Sequence, residues 1–311
     1  MLQVAQLTAG KVTMLLIFIA VGYLLRVSGK LPENATKVLS TLAATIFTPA
    51  YTMRNLASQF TPDKIVQNAI MLGFGVLFCV ICVAAGNVLA RTLSKDPTKR
   101  KSLTYAFTFP NYGYFGYPVI EGVFGSAMLS QVLVFVLPLS ILTNTYGYLL
   151  FVPNGKLSVK RVFLSPPVLG VLIGMVLGLT GLPLPGVVDD VLAGAAACMS
   201  PVAMLLAGFV LGAFPLKKLL TNGYAYLIGA IRLLGIPVVL GAVLWLMGLR
   251  DVWLLFPALI ASLPLGLNLV VYPESQGIDA SDNARLCCVS YLLSIITLPV
   301  LFSILGTLAM G

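Results

Sequence analysis

The sequence predicts an all-α integral membrane protein of ten transmembrane helices, built as two inverted five-helix repeats. Composition is the first reason. Of 311 residues, 59% are hydrophobic and 9% charged, and the mean hydropathy is +1.01, whereas soluble globular chains carry about 25% charged residues. A soluble enzyme is excluded, because too few polar residues exist to clothe a core. Length is the second reason. Apolar runs of about 20 residues, enough to cross roughly 30 Å of hydrocarbon, recur along the chain, and ten of them use about two thirds of it. The third is a set of landmarks that returns in the second half.

Hydropathy and helix breakers place the spans at 12–27, 35–56, 69–91, 102–124, 128–151, 162–181, 187–212, 222–248, 252–273 and 284–308. The first begins after Lys11 and ends at Arg26 and Lys30; no small-residue cleavage site follows, so it reads as a span and not as a signal peptide. Residues 1–151 form the first repeat, 152–161 a short connector and 162–311 the second repeat. Asp189 and Asp190 open the seventh span, where carboxylates suit a helix N-terminus.

Nineteen Lys and Arg against ten Asp and Glu give a net charge of +9, which topology explains better than nucleic-acid binding. Alternate loops collect Arg26, Lys30, Lys37, Arg91, Lys95, Lys99, Arg100, Lys101, Lys156, Lys160, Arg161, Lys217, Lys218 and Arg285, against Lys11, Arg54, Lys64 and Arg250 on the other side. The first set is expected in the cytoplasm and both termini outside, in the manner of a bacterial inner-membrane or plasma-membrane protein. All five cysteines lie in apolar runs and there is no His. Small buried side chains are the expected role of the cysteines; neither a metal site nor a cofactor is predicted.

Shifting the chain by about 153 residues aligns Lys30-Leu31-Pro32 with Pro183-Leu184-Pro185, Thr48-Pro49 with Ser200-Pro201, Pro110 with Pro264, and Tyr117-Pro118 with Tyr272-Pro273. Five spans per half make the second half enter the membrane with opposite polarity, a construction of secondary transporters with a substrate site where the halves meet.

The fourth and ninth spans hold the unusual chemistry. Phe109-Pro110-Asn111-Tyr112-Gly113-Tyr114-Phe115-Gly116-Tyr117-Pro118 has two prolines and two glycines in ten residues, and Leu263-Pro264-Leu265-Gly266-Leu267-Asn268 is its counterpart. Proline removes an amide and clashes with the preceding turn, so both spans should break and leave backbone groups unpaired. Opened backbone is tolerated at membrane depth where it lines a protein-enclosed, hydrated site. Two breaks that cross at the midplane would present half-helix N-termini to an anion, with Asn111 and Asn268 beside them. Packing kinks are the plainer alternative for either span alone. The expected substrate-binding residues are Pro110, Asn111, Gly113, Pro264, Gly266 and Asn268.

At these residues the sequence resembles the auxin efflux carrier family, which includes plant PIN transporters and bacterial carriers assigned to malate or malonate. Plant members have Leu-Pro-Asn followed by Gly-Ile-Pro, similar to Phe109-Pro110-Asn111 and Gly116-Tyr117-Pro118, and Leu-Pro-Gln-Gly, similar to Leu263-Pro264-Leu265-Gly266. Gly22-Tyr23-Leu24-Leu25-Arg26, Thr48-Pro49-Ala50 and the stretch from Ser165-Pro166-Pro167 to Ser200-Pro201 are also similar. Asn144 and Tyr146 match a polar pair of bacterial members and join the expected substrate-binding set on that ground. The resemblance implies a scaffold of spans 1, 2, 6 and 7 that forms a homodimer, and a moving unit of spans 3–5 and 8–10. It implies elevator-type alternating access and small organic anions, monocarboxylates or dicarboxylates, as substrates. Leu265 departs from the plant Gln that contacts substrate, and the long cytoplasmic loop of some plant members is missing.

Arg232 lies inside the eighth span and either steers a carboxylate or snorkels to the interface. Glu121 and Glu274 follow the two breaks and are expected at opposite membrane faces. With no His and no midplane carboxylate, proton coupling lacks an evident carrier. Sodium on backbone carbonyls and uniport driven by the membrane potential, about 2.3 kcal/mol per charge per 100 mV, both remain. The competing readings are a sodium-coupled symporter of the bile-acid type and a ligand sensor without transport. An intramembrane enzyme is disfavoured, because the Cys and Ser residues have no His partner.

Overall fold

The structure is a computed structural model and describes residues 2–152 and 164–310. Among the described residues the chain is helical, with no strand and one isolated bridge. The expected connector falls, from residue 153 onward, outside them. Six helical runs are long and apolar enough to cross a membrane: Leu2–Val27, Pro62–Leu93, Ser126–Phe151, Gly186–Leu211, Gly223–Leu246 and Ser281–Leu308. Pro166–Thr180 and Asp251–Ser262 are shorter apolar helices.

Helix α1 (Leu2–Val27) buries Thr8, Val12, Leu15, Ile19 and Gly22, spaced three and four apart, and turns Ile17, Val21 and Leu24 outward. From Met14 to Val27 the outward face is apolar, which suits lipid, while the exposed polar residues Gln3, Gln6 and Thr13 stand in the first half of the helix. After α2 (Ala35–Leu42) the chain passes through a π-helical turn, Ala43–Phe47, into α3 (Thr48–Gln59). The same device recurs at Tyr112–Gly116, before the helix that starts at Tyr117, and at Ile231–Gly235, before the helix that starts at Ile236. Each turn lies just ahead of a proline, Pro49, Pro118 or Pro237, whose ring clashes with the carbonyl four residues back; one extra residue per turn relieves that clash.

The next elements are α4 (Ile65–Leu93), α5 (Pro97–Thr108), α6 (Tyr117–Phe124) and α7 (Ser126–Leu142). Asp96 caps α5 by accepting from the Thr98 amide at 2.8 Å, and Pro97 starts it with a preset φ. Beyond the connector follow α8 (Pro166–Thr180), α9 (Gly186–Leu211), α10 (Leu216–Leu220), α11 (Gly223–Ala230), α12 (Ile236–Leu246), α13 (Asp251–Ser262), α14 (Asn268–Glu274) and α15 (Ser281–Met310).

Glycine permits the tightest packing. A Cβ on Gly208 of α9 would lie 1.9 Å from the Ile19 carbonyl of α1, and one on Gly22 of α1 2.1 Å from the Leu205 carbonyl of α9. Gly170, Gly174 and Gly178 form a smooth ridge on α8 over which Pro49 and Met53 of α3, and Phe60 just after it, lie at 2.5–2.7 Å from where a Cβ would stand. Helices without a hydrophobic driving force between them gain from such close van der Waals approach.

Candidate functional site

Between α5 and α6, and between α13 and α14, the helices break where the prolines predict. Phe109 leaves the helix with an extended backbone, Asn111 precedes the π-helical turn, and Leu263 turns extended after α13. The breaks touch. Pro110 and Leu265 form an antiparallel bridge, in which the Asn111 amide donates to the Pro264 carbonyl at 2.8 Å and the Gly266 amide donates to the Phe109 carbonyl at 3.3 Å. The Leu265 amide donates to Ser290 Oγ of α15 at 3.1 Å. Sequence reasoning expects unpaired backbone here; instead each break supplies partners for the other, which removes a cost of several kcal/mol per orphaned group in an apolar surrounding.

What stays open is the start of each following half-helix. Gly116 is the first residue to bond back, its amide donating to the Asn111 carbonyl at 2.9 Å. By helix geometry the amides just ahead of it lack an intrahelical acceptor; at the start of α14 the Leu269, Val270 and Val271 amides already donate to the Gly266 and Leu267 carbonyls, which leaves the Leu267 and Asn268 amides on that side. These ends border a cavity of about 120 Å³ lined by residues 110–114, Tyr117, Tyr105, Thr48, Thr52, Ser140, Thr143, Asn144 and residues 266–268, with Leu133, Leu137, Pro167 and Val171 closing the apolar side. Among the described residues no Lys, Arg, Asp or Glu belongs to that lining.

The side-chain amides are held in place. Asn111, 5% exposed, donates through Nδ2 to Tyr291 Oη at 3.0 Å, and the Tyr291 ring stacks on Phe115 with centroids 5.9 Å apart. Asn268 Nδ2 donates to Tyr272 Oη at 3.0 Å, and that hydroxyl donates to Asn144 Oδ1 at 3.4 Å. Tyr112 Oη meets Thr143 Oγ1 at 3.5 Å. Two asparagines from different halves are thus fixed by tyrosines on one cavity.

Pro110, Asn111, Gly113, Asn144, Gly266 and Asn268 all line this cavity. Pro264 contributes its carbonyl to the bridge and Tyr146 pairs with Asn87 of α4 at 3.0 Å; neither belongs to the lining. Arg232 is 2% exposed and donates to the Ala261 carbonyl of α13, also away from the lining. Glu121 accepts from Tyr51 Oη at 2.6 Å, joining α6 to α3, while Glu274 is exposed. Asp189 pairs with Arg54 of α3 at 2.9 Å. Sequence reasoning missed Tyr105, Tyr112, Tyr272 and Tyr291. For Tyr272 a signal existed, since it stands one helical turn after Asn268 and therefore on the same face. Tyr291 reaches Asn111 across 180 residues, and no local pattern marks it.

One family model, described as membrane transport protein, matches residues 8–162 and 155–302. The chain belongs to that family, which holds the auxin efflux carriers. It is 27% identical over 298 residues to an uncharacterized transporter of Methanothermobacter thermautotrophicus, covering 91% of this chain and 94% of that relative. It is 28% identical over 125 residues to an uncharacterized transporter of Methanocaldococcus jannaschii, 39% of each chain. With its apolar helices, this membrane transport protein is a multi-pass integral membrane protein that moves a substrate, and the family points to a transporter rather than an enzyme.

Proposed function

We propose that the protein is a secondary carrier for small organic anions, carboxylates of the size of malonate or malate, which works by elevator-type alternating access. The observation that carries this reading is the bridge between Pro110 and Leu265 at a cavity bordered by two half-helix starts and two tyrosine-held asparagines. Helix N-termini carry partial positive charge and free amides, which suit a carboxylate without any side-chain cation. A cavity of about 120 Å³ holds roughly four to ten water-sized groups, room for a short carboxylic acid and tight for an indole acid. Leu265, fully buried in the bridge, adds no polar group on that side.

In this reading the segments make ten spans in two inverted repeats, 1–151 and 162–311, with both termini outside. Spans 1, 2, 6 and 7 form a scaffold and dimer surface; the glycine-mediated packing of α1 on α9 and of α3 on α8 supports a rigid unit there. Spans 3–5 and 8–10 carry the site. Tyr51 to Glu121 and Ser200 Oγ to the Tyr114 carbonyl, 3.3 Å, are contacts that such a movement would exchange.

Uptake of labelled malonate, malate, acetate and indole-3-acetate into proteoliposomes, with and without a sodium gradient, tests the proposal. Saturable, protein-dependent flux of at least one acid is expected. Flux that requires sodium favours a symporter of the bile-acid type, and binding without flux favours a sensor.

A further inference from the structure

Arg232 is the largest of the fully buried side chains, at 2% exposure, and among the described residues no carboxylate lies within ion-pair distance of it. A cation so placed needs a compensating partner. Its partner is a helix end. Nη1 donates to the carbonyl of Ala261, the next-to-last residue of α13, and Nε has no hydrogen-bond partner. The last four carbonyls of a helix lack intrahelical donors. Here Leu259 receives Ser262 Oγ at 2.7 Å, Ile260 receives the Leu263 amide at 3.4 Å, and Ala261 receives Arg232. The end of α13 is therefore tied off immediately before the chain opens into the bridge.

Among the described residues no such cation bonds to the other break. The Tyr105 and Phe109 carbonyls at the end of α5 receive the Phe109 and Gly266 amides, and the residue 153 positions before Arg232 is Cys79. A helix C-terminus carries roughly half a negative elementary charge. At α5 no side-chain cation among the described residues compensates that charge; at α13 a full positive charge outweighs it.

We propose that Arg232 is a positioning residue: by clamping the end of α13 it holds residues 263–268 in the shape that presents Gly266 and Asn268 to the cavity, and it leaves that side of the crossing net positive. It acts through the helix end and does not touch the transported anion. The second part rests on the carrier reading above; the first does not.

The test uses the full-length protein in lipid nanodiscs with Arg232→Met, Arg232→Gln and Arg232→Lys, each compared at equal monodispersity and helical content. Hydrogen exchange at residues 263–268 is expected to be about tenfold faster in Arg232→Met and Arg232→Gln, with Arg232→Lys near wild type and the α5 start unchanged. Should Arg232→Met not fold, Arg232→Gln against Arg232→Lys decides. Wild-type exchange in the folded glutamine variant, or equal exchange in the lysine and glutamine variants, overturns the clamp. In proteoliposomes the half-saturating concentration of malonate is expected to rise about fivefold in Arg232→Gln, the scale of one charge–dipole contact, with the maximal rate preserved and the lysine variant restored. An unchanged half-saturating concentration overturns the electrostatic part. A wild-type protein that moves none of the acids sinks the carrier reading, while the exchange data still judge the clamp.

Discussion

The Asn111 amide donates to the Pro264 carbonyl across 2.8 Å, so two interrupted helices from opposite halves of the chain complete each other's backbone pairing. That bond accounts for how prolines and glycines are tolerated deep in an apolar protein, and it brings Asn111 and Asn268 to one cavity.

Asn111→Ala and Asn268→Ala are expected to lower carboxylate uptake by about tenfold or more, the equivalent of one lost hydrogen bond of ~1.4 kcal/mol. Both variants should remain folded, because each loses one side-chain contact and leaves the backbone bridge in place. Initial uptake rates alongside thermal unfolding of the purified protein check this; wild-type flux in both variants would refute the site.

Gly266→Val should separate the two breaks. A Cβ there already lies 3.1 Å from the Phe109 carbonyl that the Gly266 amide must reach, and branched methyls have nowhere to retreat. Faster hydrogen exchange at 109–111 as well as at 263–267, with uptake reduced at least as far as in Asn268→Ala, is the expected outcome. Unchanged exchange at 109–111 would show that the bridge does not depend on this approach.

Gly208→Leu should act on stability. Its side chain would start 1.9 Å from the Ile19 carbonyl, and overpacking of this kind costs about 1–3 kcal/mol or more. A lower thermal midpoint is expected, whereas Gly73→Leu, in open space on α4, should leave the midpoint unchanged. Equal midpoints for the two variants would contradict the close packing of α1 on α9.

A protease site or tag at the N-terminus is expected to be reachable from outside intact cells, the outcome that the distribution of basic residues predicts. Protection from external protease, with cleavage only after permeabilisation, would reverse the orientation.

Much of this is legible in the sequence. Pro110 and Pro264 announce the two breaks because proline's missing amide and its ring clash are local facts, independent of what packs nearby. Asn111, Gly113, Gly266 and Asn268 are legible as polar or small residues at the breaks, Asn144 only through the family resemblance, and all line the cavity. The span ends were less so: α1 starts at Leu2, ten residues before the expected boundary, because Lys11 lies along Gly122 of α6 and does not end the helix. The family resemblance pairs Tyr146 with Asn144, yet its hydroxyl meets Asn87. Spacing along one helix cannot say which of two neighbours faces the cavity once a π-helical turn, here Thr143–Gly147, rotates the register.

The sequence by itself determined that the chain is apolar and helical, where its helices fail and which small and polar residues stand at the failures, since hydropathy, helix periodicity and proline chemistry act over a few residues. The packed helices add how the failures meet, through paired backbone at Pro110 and Leu265, that Tyr291 and Tyr272 hold the two asparagines, and that Arg232 answers the end of α13 instead of a carboxylate. Those pairings join groups far apart in the chain, and a buried polar atom takes whichever partner the packed helices bring within about 3 Å.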